Sequence, residues 1–457
     1  MNSDTLNDLL VGLTNFTWQA AIMIGIGCVL LVLAIVYDFE PLLLLPIGSG
    51  CIWANLPISS FMGEYVEVTP AIQGPVTVIS DGIFKGQTFD VITHQLIGET
   101  VTVATATGQE IITEAMVNLA SYCHAAKEGF VETCGAIGDY VLADANKHGM
   151  LSSLYDMGVA NELFPLLIFI GIGAMTDFGP LLENPKMVLL GAAGQAGIFI
   201  TMTLAVVLGF SRQEAASIGI IGAIDGPTSI YVSAKMAPHM LGPITVAAYS
   251  YMSLVPLIMP PVMKLMASKK ARAIKMPYSS REISRTTRII FPVLLTILVG
   301  LLVPFALPLV GSLMIGNLMR ECGVVERLSG AAQNELNNIV TLFLGLAIGS
   351  TMLGENFINL QTAMIMGLGL FAFVMDTAVG VLFGHVYRIF YKGQFNPLIG
   401  AAGISAFPMA SRVVQKEATQ ADYTNFILMH AMGSNAAGQV ASAMAGGVVL
   451  ALVPFVG

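Results

Sequence analysis

Residues 218–231 read I-G-I-I-G-A-I-D-G-P-T-S-I-Y and hold one carboxylate, Asp225, within an otherwise apolar run. Gly226 and Pro227 follow it directly. Proline has no N–H to continue a helical ladder, and glycine adopts conformations that other residues avoid. The pair therefore predicts a helix that is broken in mid-membrane, with free carbonyls beside a carboxylate. Unwound backbone at that depth is tolerated only where it lines a cavity or is covered by protein.

The surroundings of Asp225 predict a cation site. Thr228 and Ser229 add hydroxyl oxygens to the carboxylate and the freed carbonyls, and hard cations prefer oxygen ligands. An ionisable residue inside a membrane is a functional site by default. The alternative interpretation is a proline kink with a structurally paired aspartate.

The composition is typical of a polytopic membrane protein. Of the 457 residues, 55% are hydrophobic and 11% are charged. A soluble fold would have to bury roughly ten apolar runs of membrane-spanning length in one core. The formal net charge of −9 comes from residues 56–160, which carry 12 acidic and 3 basic side chains.

Several motifs are missing from the sequence. No two of the five cysteines form a C-x-x-C pair, which excludes the common zinc and redox motifs. Cys123 and Cys134 share one polar segment, and we expect them to pair only if that segment is exported. The chain has no P-loop and no A-M-K-M biotinylation sequence.

The apolar runs predict an all-α polytopic membrane fold with two repeats. Both halves show the same order of segments: long, short, long, long, broken, long. The segments are 17–37, 41–55, 163–180, 187–209, 214–236 and 240–263, then 289–309, 310–320, 337–353, 360–386, 396–415 and 423–455. If each broken run is a re-entrant hairpin, each half crosses about five times and the repeats are inverted. Matching broken segments in two halves indicate an ion site near the midplane.

This pattern divides the chain into domains. Residues 1–55 with 163–263 form the first repeat, 56–162 an acidic extramembrane insertion, 264–288 a basic loop, and 289–457 the second repeat. The basic loop carries eight lysines and arginines against one acid, so the positive-inside rule places it in the cytoplasm. The insertion then lies outside.

The second broken run supplies partners for Asp225. Residues 396–412 read N-P-L-I-G-A-A-G-I-S-A-F-P-M-A-S-R and contain Asn396, Ser405 and Arg412. The neutral oxygens of Asn396 and Ser405 are expected to complete an ion cage opposite Asp225. The alternative is that these small and polar residues serve only helix packing.

Other polar residues lie in apolar segments. Tyr249, Tyr251 and Ser253 follow the first broken run, and a cation near a tyrosine stabilises its phenolate; an interfacial tyrosine belt is the alternative. Asp177 is at a helix end, so an interfacial position is the plain interpretation. Asp376 is expected to pair with Arg412 or His385, and His430 and Asn435 are expected to be structural.

Five long motifs resemble the β subunit of biotin-dependent sodium-pumping decarboxylases. They are G-I-G-A-M-T-D-F-G-P-L-L (171–182), I-I-G-A-I-D-G-P-T-S-I-Y (220–231), A-A-Y-S-Y-M-S-L-V-P-L-I (247–258), G-N-L-M-R-E-C-G-V-V-E-R-L (316–328) and N-P-L-I-G-A-A-G-I-S-A-F-P-M-A-S-R-V (396–413). The resemblance covers roughly 1–55 and 163–457, and residues 56–160 do not match the family's pattern.

The resemblance implies a membrane subunit that decarboxylates carboxybiotin and exports Na⁺, consuming a proton. It implies Na⁺ ligands at Asp225, Asn396 and Ser405, to which the oxygen-rich surroundings of Asp225 add Thr228, and it implies catalytic roles for Tyr251, Ser405 and Arg412. Na⁺ binding is expected to drive a proton from Tyr251 or Ser405 toward carboxybiotin.

The resemblance also implies the subunit's surroundings. Biotin arrives in trans, which fits the missing biotinylation sequence. The expected partners are a carboxyltransferase, a biotin carrier, a small membrane-anchoring subunit, further copies of this chain and membrane lipid, and no nucleic acid. The expected location is the bacterial inner membrane, with several crossings.

Two other functions stay open from sequence. A secondary Na⁺/carboxylate transporter on a similar scaffold would need cationic groups in its cavity, and Arg412 is the one candidate. A non-catalytic anchor for a soluble carboxyltransferase would need no Asp225.

Overall fold

A computed structural model describes most of the helical part of the chain and short stretches of the insertion. The described residues are 16–37, 41–56, 75–78, 88–90, 101–105, 108–112, 150–276 and 283–453. The chain divides into two compact units, residues 1–15 with 56–153 and residues 16–55 with 154–457. The predicted pairing of Cys123 with Cys134 falls outside the described residues.

The first unit contains a four-stranded antiparallel sheet, so the chain is not helical throughout. The strands are β1 (Pro75–Val78), β2 (Thr88–Asp90), β3 (Val101–Thr105) and β4 (Gly108–Ile112), in the order β2-β1-β3-β4. These segments are rich in valine, threonine and isoleucine, which fit a pleated surface well. The all-α prediction therefore applies to the second unit.

The other described elements are helices. Those before the basic loop are α1 (Trp18–Val36), α2 (Pro41–Ala54), α3 (Met150–Leu154, continued by a π-helical turn, Tyr155–Ala160), α4 (Leu163–Met175), α5 (Gly179–Glu183), α6 (Val188–Ala193), α7 (Ala196–Val207), α8 (Arg212–Gly219), α9 (Gly226–Met236), α10 (Leu241–Ser253) and α11 (Val255–Met266). Those from the loop onward are α12 (Lys269–Arg272), α13 (Arg285–Leu302), α14 (Leu307–Cys322), α15 (Glu326–Ala331), α16 (Asn337–Ser350), α17 (Gly354–Phe357), α18 (Leu360–Phe390), α19 (Leu398–Ala401), α20 (Met409–Ala421) and α21 (Leu428–Leu452).

The helices have the length and composition of a multi-pass membrane protein. Among the described residues, 5 helical stretches are long and apolar enough to cross a membrane: Trp18–Val36, Pro185–Val207, Arg285–Leu302, Leu360–Phe390 and Leu428–Leu452. Two further pairs, α3 with α4 and α10 with α11, are bent by 64° and 69° at a short break and raise the number to as many as 7. Their outward side chains are largely leucine, isoleucine and valine, as lipid contact requires.

The first broken run folds back on itself. After α8, a 3₁₀ turn at Ile220–Ala223 leads to Ile224 in the left-handed region (φ 51°) and to Asp225 in extended backbone. Glu214 in the first turn of α8 lies 3.1 Å from His239, which follows α9. Because the two ends of the segment meet, residues 212–239 form a helical hairpin, here called the first hairpin, with Asp225 at its tip.

The second broken run is also a hairpin, here called the second hairpin (residues 396–425). Asn396 precedes α19 and Asn425 follows α20, and the side-chain amides of both donate to the same two carbonyls, those of Arg272 and Ile274 (2.9 and 3.1 Å). The two ends therefore meet beside the basic loop. Residues 402–408 form the tip.

Two predicted segment boundaries were wrong. The predicted helix 289–309 ends at Leu302, and after a 3₁₀ turn at Pro304–Ala306 the next helix runs to Cys322, beyond the predicted 310–320. Pro304 stops the helical ladder, but the residues on both sides are equally apolar, so hydropathy did not reveal the break. Residues 41–55, predicted to be short or broken, form one short helix, Pro41–Ala54, with Pro46 inside it, so the prediction of a short segment is confirmed.

Candidate functional site

A cavity of about 350 Å³ lies where the tips of the two hairpins meet. The polar side chains that line it are Asp225, Tyr249, Asn337, Thr341, Ser405 and Gln439. The rest of its wall is mostly apolar and comes from α2, α4 and the segment 406–409. A mostly apolar cavity with a few convergent polar groups is typical of a binding site.

Asp225 is held at this cavity by hydroxyl groups. Its side chain is 3% exposed. Its Oδ2 accepts hydrogen bonds from the hydroxyl of Thr228 (2.6 Å) and from the hydroxyl of Ser442 on α21 (3.1 Å). No lysine, arginine or histidine within the described ranges forms an ion pair with it. The carboxyl group thus has only neutral hydrogen-bond donors within the described residues, and a cation bound beside it would supply the missing counter-charge.

Ser405 connects the two hairpin tips. Its hydroxyl donates to the carbonyl of Ala223 at 2.6 Å, and its backbone N–H points to the same oxygen at 3.4 Å. Ala223 lies two residues before Asp225. The sequence prediction that Ser405 lies close to Asp225 therefore agrees with where the structure places it.

The last helix contributes polar groups that the sequence analysis did not assign to the site. Ser442 bonds to Asp225, Gln439 lines the cavity, and Asn435 donates to the carbonyl of Ile404 at 2.6 Å. Their spacing of four and three residues puts them on one face of α21. That spacing was visible in the sequence, but small polar residues in membrane helices also serve as packing contacts, so the signal was ambiguous.

Asn396 is not brought to Asp225. Its amide nitrogen donates to the carbonyls of Arg272 and Ile274 at 2.9 Å, and its Oδ1 accepts the N–H of Leu398. These bonds place its side chain at the base of the second hairpin, beside the basic loop. Asn396 is fully buried there and fixes where the hairpin begins.

Arg412 lies on α20, outside the cavity wall. Met409, one turn before it, lines the cavity. Arg412 is exposed, and the described part of the chain gives its guanidinium no hydrogen bond or ion pair. The guanidinium is thus available to an anion that approaches the second hairpin.

The two tyrosines of α10 occupy different surroundings. Tyr249 lines the cavity, and its ring lies directly against Gly226, where any larger residue would clash. Tyr251 donates its hydroxyl to the carbonyl of Met366 and packs against Gly369, both on α18. Tyr249 is therefore the tyrosine next to Asp225, and Tyr251 links α10 to α18.

The expected pairing of Asp376 with Arg412 or His385 is wrong. Asp376 is fully buried and accepts the N–H of Gly197, whereas His385 is bonded to the carbonyl of Met266 and Arg412 is exposed. Asp177 accepts the N–H of Gly179, the first residue of α5, at 2.8 Å.

The cavity can therefore bind a small monovalent cation. One carboxylate supplies a single negative charge, and the hydroxyls of Thr228, Ser405 and Ser442 supply neutral oxygens around it. Hard cations take such oxygen ligands. In the described residues no three histidine, cysteine, aspartate or glutamate side chains form a group.

Comparison with known proteins identifies one matching family and several similar proteins. The family model described as Na⁺-transporting oxaloacetate decarboxylase beta subunit matches residues 19–453. The chain is 45% identical over 442 residues to the glutaconyl-CoA decarboxylase subunit beta of Acidaminococcus fermentans, covering 97% of this chain and 95% of that one. It is 46% identical to the probable oxaloacetate decarboxylase beta chain of Vibrio cholerae, covering 97% of each. It is 44% identical to the methylmalonyl-CoA decarboxylase subunit beta of Veillonella parvula, covering 97% of this chain and 95% of that one.

These matches correct one expectation about the insertion. Residues 56–160 were expected to depart from the family's pattern, but matches that cover 97% of the chain cannot leave out a segment of that length. The relatives therefore carry aligned residues there. Its acidic, strand-forming sequence has no membrane-spanning periodicity, which is why motif comparison alone did not connect it to the family.

Proposed function

The chain belongs to the family of Na⁺-transporting oxaloacetate decarboxylase beta subunits, and from this premise we propose that the cavity between its two hairpin tips is the Na⁺ site of the pump. Decarboxylation coupled to Na⁺ transport across the membrane is the function of the subunit. A secondary Na⁺/carboxylate transporter is not favoured, because the relatives are named as decarboxylase subunits.

We assign the Na⁺ ligands from the geometry. Asp225 supplies the charge, and Thr228 and Ser405 supply hydroxyl oxygens. Ser442 joins them, because its hydroxyl already lies 3.1 Å from the Asp225 carboxylate. Asn396 acts on the site indirectly, by fixing the base of the second hairpin against Arg272 and Ile274.

One observation carries this proposal: the bond from Ser405 of the second hairpin to the Ala223 carbonyl of the first. A cation bound at Asp225 takes a lone pair of the Ser405 oxygen while the Ser405 hydroxyl still donates to Ala223, and so contacts both tips at once. Binding of Na⁺ is then linked to the relative position of the hairpins, as a pump requires.

We propose that the proton consumed by decarboxylation comes from a side chain close to the Na⁺ site. Ser405 lines the cavity, whereas the Tyr251 hydroxyl is bonded to Met366 outside it. Coordination of Na⁺ by the Ser405 oxygen makes its hydroxyl proton easier to release. We therefore place Ser405 first as the group that passes a proton to carboxybiotin, and Tyr251 second, since its bond to Met366 must break before it can act. Water then returns a proton to the hydroxyl group that released it.

Two inverted repeats account for the arrangement of the hairpins. Taken as one bent span, α10 and α11 begin beside His239, at the base of the first hairpin, and end beside the basic loop, at the base of the second. The hairpins therefore enter from opposite faces. In addition, α2 of the first half is equivalent to α14 of the second, and α4 is equivalent to α16. The first-half helix α2 packs on α16, and its equivalent α14 packs on α4, so the same contact occurs twice with the two halves exchanged. The positive-inside rule puts the second hairpin's base in the cytoplasm.

This orientation places the acidic insertion outside the cell. A cysteine introduced at Ser80 should react with an impermeant thiol reagent added to whole cells, because the basic loop and the insertion then lie on opposite faces. The matched control is a cysteine at Ser268, which caps α12 in the basic loop and should react only in inverted vesicles. The reverse labelling pattern would overturn the orientation.

Arg412 is the proposed contact for the incoming carboxylate. Carboxybiotin, carried on a partner subunit, supplies the carboxyl group that leaves as CO₂. The exposed, unpaired guanidinium one turn from the cavity-lining Met409 suits a carboxylate, because arginine binds carboxylates through two parallel hydrogen bonds. The cavity wall beyond it is largely apolar, which suits the uncharged ring system of biotin.

Replacing Arg412 should therefore weaken the use of carboxybiotin. We expect Arg412→Gln to raise the half-saturating concentration of free carboxybiotin by about tenfold, since hydrogen bonds to charged groups contribute about 1.5–3 kcal/mol. Decarboxylation by the purified complex measures this. Lys416→Gln, which removes an exposed cation one turn further along α20, is the matched control and should change it far less. Equal effects of the two variants would mean that general surface charge, not Arg412, attracts the substrate.

The family name implies a multi-subunit enzyme. We propose that a carboxyltransferase, a biotin carrier and a small membrane-anchoring subunit complete it in the bacterial inner membrane, and that more than one copy of this chain is present. Na⁺ is cargo, and biotin remains bound to the carrier.

A further inference from the structure

Asp376, in the middle of α18, is a buried carboxylate with one oxygen that has no partner. Its Oδ1 accepts the N–H of Gly197, the second residue of α7. Its Oδ2 has no hydrogen-bond partner among the described residues, although the side chain is fully buried. A Cβ atom built on Gly222 would lie 2.6 Å from this Oδ2, so the bare oxygen lies against the tip of the first hairpin.

Within the described part of the chain, no cation forms an ion pair with this carboxylate. The elements packed against α18 are α6, α7, α8, the 220–223 turn, α10, α11 and α19. Their titratable groups, with those of α18 itself and the tip, are Arg212, Glu214, Tyr249, Tyr251, Lys264, Asp225, His385, Tyr387 and Arg388. None of these forms a hydrogen bond or ion pair with Asp376. An ionised carboxylate buried without a counter-charge is costly, and such a group neutralises instead.

In the other half of the chain, the position equivalent to Asp376 holds a neutral side chain, and its contacts are shown by the structure. Residues 195 and 376, 222 and 403, and 227 and 408 are each 181 positions apart, and both tips follow the pattern I-G-x-x-G-x-x-x-x-P. At the position equivalent to Asp376, Gln195 donates its amide N–H to the carbonyl of Gly403 at 3.1 Å. Gly403 is the equivalent of Gly222. A neutral donor at the start of α7 thus holds the tip of the second hairpin.

We propose that Asp376 is a proton-binding site that holds the tip of the first hairpin. The carboxylate takes one proton from water and becomes a carboxylic acid, whose Oδ1 keeps the bond from Gly197 and whose Oδ2–H donates toward the tip as Gln195 does in the other half. Loss of that proton leaves Oδ2 of Asp376 with no hydrogen to donate to the backbone of the tip, and the tip is released. Proton binding stands on the local geometry alone, whereas its effect on transport rests on the proposed Na⁺ site.

Infrared spectroscopy of the purified complex tests the proton site directly. Wild type at neutral pH should show a C=O stretch of a protonated, buried carboxylic acid that is lost in Asp376→Asn and kept in Asp225→Asn. Gln195→Glu should add a second such band, because it places an acid at the equivalent position. A spectrum unchanged in Asp376→Asn would show that Asp376 is ionised and would overturn the proposal.

The pH profile of Na⁺-dependent decarboxylation tests the consequence. Asp376→Asn keeps a donor at all pH values, so its activity should persist at alkaline pH where wild-type activity declines. An alkaline decline identical to that of wild type would refute the holding role. If the Asp376→Asn complex does not assemble, Gln195→Glu is used instead. This variant should lose decarboxylation activity at alkaline pH to a greater extent than wild type, and an unchanged pH profile would count against the proposal. Failure of the Na⁺ site itself is distinguishable, because Asp225→Asn would then transport Na⁺ while the infrared result stands.

Discussion

Asp225→Asn is expected to abolish Na⁺-coupled decarboxylation by the assembled complex. The substitution keeps the size of the side chain, and an amide can still accept hydrogen bonds from Thr228 and Ser442. It removes the one negative charge that faces the cavity. A charge left uncompensated inside a membrane costs on the order of 3 kcal/mol or more, which weakens Na⁺ binding about a hundredfold. Carboxyl transfer to biotin in the partner subunit should continue. Substrate turnover and Na⁺ uptake in proteoliposomes measure both.

A matched control separates charge at the site from charge elsewhere. Asp177→Asn removes a carboxylate that accepts the N–H of Gly179 and does not line the cavity, and it should leave turnover and Na⁺ uptake near the wild-type level. Wild-type Na⁺ uptake by Asp225→Asn would exclude the cavity as the Na⁺ site.

Ser405→Ala is expected to have the second largest effect. It removes a proposed Na⁺ ligand, the bond to the Ala223 carbonyl and the proposed proton-passing hydroxyl in one step. The Ala223 carbonyl then keeps only the longer bond from the backbone N–H of residue 405, and the loss of one hydrogen bond costs about 0.5–1.5 kcal/mol. We expect turnover to fall at least tenfold even at saturating Na⁺, together with a higher half-saturating Na⁺ concentration.

The control for this variant is Ser411→Ala. Ser411 is also buried on the second hairpin, where its hydroxyl donates to the carbonyl of Pro408 at 2.7 Å, and it does not line the cavity. Ser411→Ala should lower the stability of the protein more than it changes the Na⁺ concentration that half-saturates turnover. If Ser405→Ala lowers turnover without changing the Na⁺ concentration that half-saturates it, Ser405 is not a Na⁺ ligand.

The positions of the hairpin tips were predictable because local chemistry decides them. Gly226-Pro227 cannot continue a helix, and Pro408 has the same effect in the second half. A carboxylate beside such a break in an apolar segment has few structures open to it. Asp225 and Ser405 therefore appear in the structure as the sequence indicated.

The direction of side chains at the site was less predictable. Asn396 lies in the motif that supplies Ser405, but its amide meets two loop carbonyls that belong to a segment more than 120 residues earlier. Tyr249 and Tyr251 are two residues apart on α10, so they point to different sides of the helix. The sequence predicted that Tyr251 faces the site, but Tyr249 lines the cavity and packs against Gly226, while Tyr251 is bonded to Met366.

Long-range pairing accounts for the rest. Ser442 reaches Asp225 from 217 residues away, and Asp376 meets Gly197 instead of the cation expected for it. Both contacts depend on how the two halves interlock, which no local pattern specifies.

Equilibrium binding of radioactive Na⁺ to the purified complex tests the central claim most directly. Wild type should bind Na⁺ saturably in the absence of substrate, and Asp225→Asn should show no saturable binding at Na⁺ concentrations that fill the wild-type site, while Asp177→Asn binds as wild type does. Unchanged affinity in Asp225→Asn would contradict the account, since Na⁺ would then bind elsewhere than between the hairpin tips.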